Sequence, residues 1–231
     1  MSMPPLNPTL IEMGAYASKR ISEAAKADPS IVNLSIGEPR FGPPEEVLAQ
    51  IEQEDLSLAS FLSSVKSYET SRGALRLRVA IAEWYRRRHG LVIDPEREIL
   101  VTHGGVEAVA LAVLITSGSG DAVAVTDPSY MLYDRALRTL GRRPLRFSRP
   151  AGEREFVALA ETDRDFRETL GGARALIINS PENPTGYVVA DDEWRMLQSI
   201  VERNDAWLIH DEVYDSMAVS YTHLTLPTKR I

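Results

Sequence analysis

The stretch NSPENPTGYVV, Asn179 to Val189, follows the apolar run ALII at residues 175–178 and decides how the rest of the chain is read. Pro181 and Pro184 fix their backbone angles and remove two amide donors. Gly186 supplies a turn. The segment therefore reads as a rigid loop at the end of a strand. A turn alone would explain the prolines and the glycine. It would not explain why Asn183, a short amide with both a donor and an acceptor, precedes Pro184. A second dense patch, LIHDEVYDSM, covers residues 208–217. Here Asp211 ends another apolar run and Tyr214 follows three residues later.

Working outward, the same strand-then-turn pattern recurs. EILVTHGG reads as a strand entering a glycine turn, with VEAVALAVLITSG as the helix behind it. DAVAVTDPSY is strand and turn, YMLYDRALRTLG helix, RPLRFS strand, DDEWRMLQSIVERND helix and AWLIH strand. Short continuous apolar strands are those of a sheet covered on both faces. Alternation with helices predicts a mostly parallel sheet in an α/β fold of three layers. Upstream, PTLIEMGAYASKRISEAAKA reads as one helix, IVNLSIGEPRFGPP as a short strand and loop, and residues 44–53 as a helix. ALRLRVAIAEWYRRRHG is an amphipathic helix closed by Gly90.

Composition narrows the function classes. The chain has 231 residues, 44% apolar and 26% charged, with a net charge of −7. A nucleic-acid binder needs a basic surface, so that class is disfavoured. The compact basic run, Arg86–His89, is expected to be a solvated helix C-terminus, where cations suit the dipole. With no cysteine, disulfides, thiolate nucleophiles and cysteine-held zinc are excluded. The four histidines show no metal-ligand spacing, so no metal is expected. The N-terminus lacks a signal-peptide pattern and no apolar run spans a bilayer. A soluble cytoplasmic protein is expected.

In a parallel sheet, ligands bind at the carboxyl ends of strands. Gly104 and Gly105 lie at such an end, where backbone amides opening a helix suit a phosphate; a plain tight turn fits them equally well. No G-x-G-x-x-G fingerprint is present. Tyr130, in DPSY, is either packing or a ring platform for a flat ligand. A carboxylate such as Asp211 at the end of a buried strand is costly unless paired. A protonated pyridine nitrogen is one such partner, and Tyr214 could reach an oxygen on the same ring. A structural carboxylate met by Arg or backbone is the alternative.

Six segments in order, NLSIGEPRFGPP, YETSRGALRLRVAIAEWY, VTHGGVEAVALAV, DPSYMLYDRAL, NSPENPTG and IHDEVYDSM, resemble the fold-type I pyridoxal-phosphate family, specifically class I/II aminotransferases of the aspartate aminotransferase type. The resemblance covers residues 11–218. It implies a three-layer α/β/α sandwich and pyridoxal 5'-phosphate as cofactor. Gly104, Gly105 and Val106 would then lie at the cofactor phosphate, and Tyr130 would stack on its ring. Asn183 would bond the ring hydroxyl near the substrate carboxylate. Asp211 would hold the ring nitrogen, Tyr214 the ring oxygen, and the Gly37 backbone the substrate carboxylate. Tyr68 would cross a homodimer to the partner's phosphate. Val106 departs from the Thr or Ser common in the family, which removes a side-chain bond but no backbone contact. Implied partners are an amino acid and a 2-oxo acid.

The family's Schiff-base lysine, some three dozen residues beyond the aspartate, has no counterpart. The lysines are Lys19, Lys26, Lys66 and Lys229, and none stands in the family motif. No catalytic residue is therefore assigned within this chain. The expectation is a longer parent enzyme that transfers amino groups, represented here by a truncated and inactive piece. Residues 1–43 would form an N-terminal arm and part of a small domain, and 44–218 a large cofactor-binding domain. The tail from Val219 to Ile231 contains VSYTHLTLPT, which resembles a translated sequencing-library adapter and is read as non-native. Rival readings are a lyase or decarboxylase on the same scaffold, a non-catalytic cofactor-fold regulator, and a nucleotide-binding Rossmann protein. The resemblance implies two further strands inserted between EILVT and AWLIH; without them the sheet is expected to have a gap that leaves the chain prone to aggregate.

Overall fold

A computed structural model describes residues 7–14, 17–28, 30–34, 37, 41–53, 58–65, 67–148, 168 and 170–217. The tail read as non-native lies outside the described residues. The chain divides into two units, Met1–Ser71 and Arg72–Ile231.

The first unit carries α1 (Pro8–Glu12), α2 (Ala17–Ala27), α3 (Glu45–Gln53) and α4 (Leu58–Ser64). Asn7 caps α1 by accepting from the Thr9 N–H at 3.0 Å, with Pro8 opening the helix. The single helix expected over residues 8–27 is two. Gly14 stands between them at φ +56°, a left-handed conformation that ends a helical turn. Residues 31–34 form no strand ladder, unlike the sequence expectation.

The second unit holds the sheet. Its elements are α5 (Leu75–His89), α6 (Gly105–Thr116), β1 (Ala122–Asp127), α7 (Met131–Thr139), β2 (Arg143–Ser148), β3 (Ala175–Asn179), α8 (Asp191–Arg203) and β4 (Trp207–Asp211). All three strand pairings are parallel, in the order β2-β1-β3-β4. The alternation of side chains along each strand divides the core in two. Val123, Val125, Ala175 and Ile177 face Val113 of α6 and Tyr133 and Leu137 of α7. Ala124, Leu176 and Ile178 face Trp194, Leu197, Ile200 and Val201 of α8. Every residue of β3 is buried, as a strand between two helical layers must be. The expected three-layer α/β/α arrangement with a parallel sheet is what the chain adopts.

Two local outcomes refine the sequence reading. The basic run Arg86–His89 does close α5, with Gly90 as a left-handed C-cap and Arg86 paired to Glu83 at 2.7 Å. The segment EILVT, expected as a strand, joins no ladder among the described residues. Its Val101 N–H instead donates to the Arg72 carbonyl at 3.0 Å, because a strand exists only where a neighbour offers matching groups.

β1 sends α7 toward β2, whereas β3 sends α8 toward β4. The connections part at the carboxyl ends of β1 and β3, which is where a crevice opens in such sheets. The core energetics are testable by urea unfolding followed by Trp fluorescence. Leu176→Ala, at a fully buried position, is expected to cost about 2–5 kcal/mol. Leu100→Ala, at a residue 51% exposed, should stay within about 0.5 kcal/mol. Equal costs at the two positions would contradict the placement of the core.

Candidate active site

The crevice is built from the segments that leave the sheet. It encloses about 230 Å³ and is lined by Gly105 and Val106 of α6, Tyr130 and Tyr133 at the start of α7, and Asn179, Asn183, Asp211 and Tyr214. Six of the residues expected from the sequence therefore come together: Gly105, Val106, Tyr130, Asn183, Asp211 and Tyr214. Gly104 adjoins them as the N-cap of α6. Its φ of +93° is a conformation suited to glycine, and a Cβ there would meet nothing within 4 Å. Gly105 and Val106 are the first two residues of α6 and line the crevice, so the positive end of the helix dipole lies beside it. Gly37 and Tyr68 belong to the first unit, where both are exposed.

Asp211 is held at both ends of the residue. Its carbonyl accepts from the Ser180 N–H at 3.0 Å and from Asn179 Nδ2 at 2.9 Å, at the last step of the β3–β4 register. Its carboxylate accepts from the Tyr133 hydroxyl at 2.5 Å and from the Val213 N–H at 3.2 Å. A hydrogen bond to an ionised acceptor contributes about 1.5–3 kcal/mol. The carboxylate is thus fixed in direction while still lining the open crevice.

Asn183 is aimed in the same manner. Its N–H donates to Asn179 Oδ1 at 2.7 Å, and its Nδ2 reaches Tyr214 Oη at 3.3 Å. Asn179 therefore bridges the strand end and the loop. The peptide bonds before Pro128, Pro181 and Pro184 are cis. The rings of Tyr130 and Tyr133 stand edge to face with centroids 5.6 Å apart, and both residues line the crevice.

Tyr133 is a crevice side chain, bonded to Asp211, that the sequence reading missed. Its spacing, three residues after Tyr130 on one helical face, was the available signal, but that spacing is shared with any core aromatic. Burial, then the bond and charge of Asp211, push its phenol well above the ordinary tyrosine value. Tyr133 is therefore a donor throughout the neutral range. A phenol raised in the folded state adds stability below its unfolded value of about 10, and that stability is lost as the pH climbs above it. Tyr85, raised by burial and by its bond to Glu212, acts in the same direction. Unfolding free energy should consequently fall above about pH 10, and Tyr133→Phe should flatten that fall. An unchanged slope in the variant would show that Tyr133 is not held as described.

The crevice suits a flat, negatively charged ring ligand. It offers the opening residues of a helix for a phosphate, an aromatic side chain for a ring, a hydrogen-bonded carboxylate for a cationic ring nitrogen, and an amide and a phenol for a ring oxygen. Among the described residues no group of three possible metal ligands occurs, and no helix is long and apolar enough to cross a membrane.

Comparison with known proteins agrees with this chemistry. The family model for aminotransferase class I and II matches residues 29–226, which runs into the segment read as a non-native tail. The chain is 32% identical over 197 residues to the valine–pyruvate aminotransferase of Mycobacterium tuberculosis, covering 85% of this chain and 48% of that enzyme. It is 33% identical over 222 residues to a probable N-succinyldiaminopimelate aminotransferase of the same organism, covering 94% and 54%. Among solved structures, the M. tuberculosis N-succinyldiaminopimelate aminotransferase superposes with a TM-score of 0.77 at 31% identity, covering 91% of this chain and 53% of that one. Thermus thermophilus aspartate aminotransferase, solved with maleate, gives 0.79 at 27% identity, covering 96% and 57%. The chain spans about half the length of the curated relatives it matches. Pyridoxal phosphate is the cofactor expected for such proteins, and the crevice residues fit it. With the parallel sheet, the strand-end crevice and a family match over most of its length, this chain belongs to the class I and II aminotransferase family.

Proposed function

We propose that this chain is the cofactor-cradling part of a pyridoxal-phosphate-dependent aminotransferase that moves an amino group from an amino acid to a 2-oxo acid. The observation that carries the reading is Asp211, which lines the crevice with its carboxylate held by the Tyr133 hydroxyl and the Val213 N–H. When bound, the cofactor supplies an electron sink that stabilises negative charge next to the amino-bearing carbon. Asp211 keeps the ring nitrogen protonated by offering it a charge partner. Tyr130 covers one ring face. Asn183 and Tyr214 orient the ring oxygen. The amides of Gly104, Gly105 and Val106 hold the phosphate without a hydroxyl from position 106. The Gly37 backbone receives the substrate carboxylate, and Tyr68, fully exposed in its own unit, reaches the partner's phosphate in a cytoplasmic homodimer.

Proton shuttling needs a lysine amine beside the cofactor. None of Lys19, Lys26, Lys66 or Lys229 stands in the family's lysine motif. The 231-residue chain is therefore proposed to cradle the cofactor without forming a covalent bond to it and to be inactive alone.

Titration of the chain with pyridoxal phosphate, read by quenching of Trp fluorescence, should give saturable binding that Asp211→Ala weakens at least tenfold. Borohydride reduction followed by peptide mapping should leave Lys229 without stoichiometric label. Unaltered affinity in Asp211→Ala would overturn the assignment of that carboxylate. Full labelling of Lys229 would overturn the claim that the chain forms no covalent bond to the cofactor. In a longer protein that carries the lysine, release of carbon dioxide or ammonia without amino transfer would favour the lyase reading.

A further inference from the structure

Glu182 lies inside the SPENPTG loop, where a carboxylate would ordinarily face water, yet it is only 4% exposed. Its Oε1 accepts from the Thr126 hydroxyl at 2.7 Å, and its Oε2 accepts from the Thr185 hydroxyl. Thr126 is itself buried, next to the last residue of β1. The Glu182 N–H donates to the Tyr187 carbonyl at 2.8 Å, and the Glu182 carbonyl accepts from the Gly186 N–H at 2.7 Å. The residue thus uses its side chain to fasten the loop to a neighbouring strand and its backbone to close the loop on itself. Asn183 is the very next residue. It has one backbone anchor, Asn179 Oδ1, and one side-chain contact, Tyr214 Oη, at 3.3 Å.

A buried carboxyl group is costly to place, and its removal leaves the two hydroxyl donors without their acceptor. Such an arrangement in a loop of seven residues is more than the closure of a turn requires, since the prolines and Gly186 already supply that. Beyond the loop, a second buried carboxylate fastens the exit. Glu193 accepts from the Tyr187 hydroxyl at 2.6 Å and from the Ala190 N–H at 2.9 Å. Ala190 has no side-chain acceptor to return, so only this half of a capping box exists at the start of α8.

We propose that Glu182 is a positioning residue for Asn183: by tying the loop to Thr126 on β1 and to Thr185 within the loop, it sets the direction of the Asn183 amide toward the ring-oxygen side of the crevice. The proposal rests on the cofactor reading for what Asn183 touches, but the positional claim is measurable without cofactor. Glutamine can replace the bonding pattern. Its carbonyl accepts from one threonine and its amide donates to the other, because a hydroxyl does either.

The experiment uses the full 231-residue chain with Glu182→Ala, Glu182→Gln and Thr126→Val. Hydrogen exchange is followed at the Asn183 and Gly186 amides, with Val125 and Ile177 as strand controls. Pyridoxal phosphate affinity is measured in parallel, with Asp211→Ala as the control for the cofactor reading. Glu182→Ala should speed exchange at Asn183 and Gly186 at least tenfold, leave Val125 and Ile177 within threefold, and weaken cofactor affinity at least tenfold. Glu182→Gln should restore both readouts to within threefold of the unaltered chain. Thr126→Val keeps the side-chain shape without the hydroxyl, and should show an intermediate form of the alanine effect if the alanine variant does not fold. Unchanged exchange at Asn183, or equal acceleration at the strand controls, would overturn the proposal. Faster exchange at Asn183 with unchanged cofactor affinity would overturn the role of that position toward the cofactor. If Asp211→Ala leaves affinity unchanged, the cofactor reading fails, while the exchange data still decide what Glu182 positions.

Discussion

The arrangement depends on Asp211 being held at two places at once. Its carbonyl closes the β3–β4 ladder against Ser180 and Asn179. Its carboxylate is fixed by Tyr133 and by the Val213 N–H. The first hold locates the loop that carries Asn183 and the second aims the charge. Three segments leaving three different strands are thereby brought into one register. A shift of one residue in the β3–β4 pairing would turn Asn179 and Asp211 to the opposite face and dissolve the site. The apolar layers prevent such a slip, because it would also turn Leu176 and Ile178 away from α8.

The polar residues around the crevice divide into those that reach into it and those that hold others still. Asn179, Glu182 and Glu193 belong to the second group. Each satisfies backbone or hydroxyl donors that would otherwise be left unpaired, and each bonds a loop of low intrinsic order to an element of high order. The gain is one of geometry rather than of net stability, since burying a carboxylate returns little free energy even when it is well paired. A rigid loop matters because ligand binding then does not have to order it.

Much of this was legible in the sequence, for identifiable reasons. The four strands of the sheet were legible, most clearly β1 and β3, where burial on both faces leaves continuous apolar runs such as ALII. Gly90 read as a helix end because a left-handed C-cap favours glycine. Asn183, Asp211 and Tyr214 could be singled out because polar groups at the ends of apolar runs need partners. Tyr133 and Glu182 were not legible. An aromatic in the first turn of an amphipathic helix looks like core, and a glutamate between prolines looks like a solvated loop charge. What distinguishes them is a tertiary neighbour 78 residues away for Tyr133 and 56 residues away for Glu182, which no local pattern encodes. The strand EILVT was expected from its composition alone, and composition cannot supply the ladder partner that a strand requires. The break at Gly14 was missed because a single glycine within a helical pattern is often tolerated.

Asp211 is proposed as the charge partner of the cofactor ring nitrogen. ¹⁵N NMR of pyridoxal phosphate labelled at the ring nitrogen and bound to the chain decides whether it does so. The bound ring nitrogen should stay protonated when the solution pH is raised past the point at which the free cofactor loses that proton, with the effect abolished in Asp211→Asn. A bound ring nitrogen that titrates like the free cofactor, or one that stays protonated in Asp211→Asn, would contradict it.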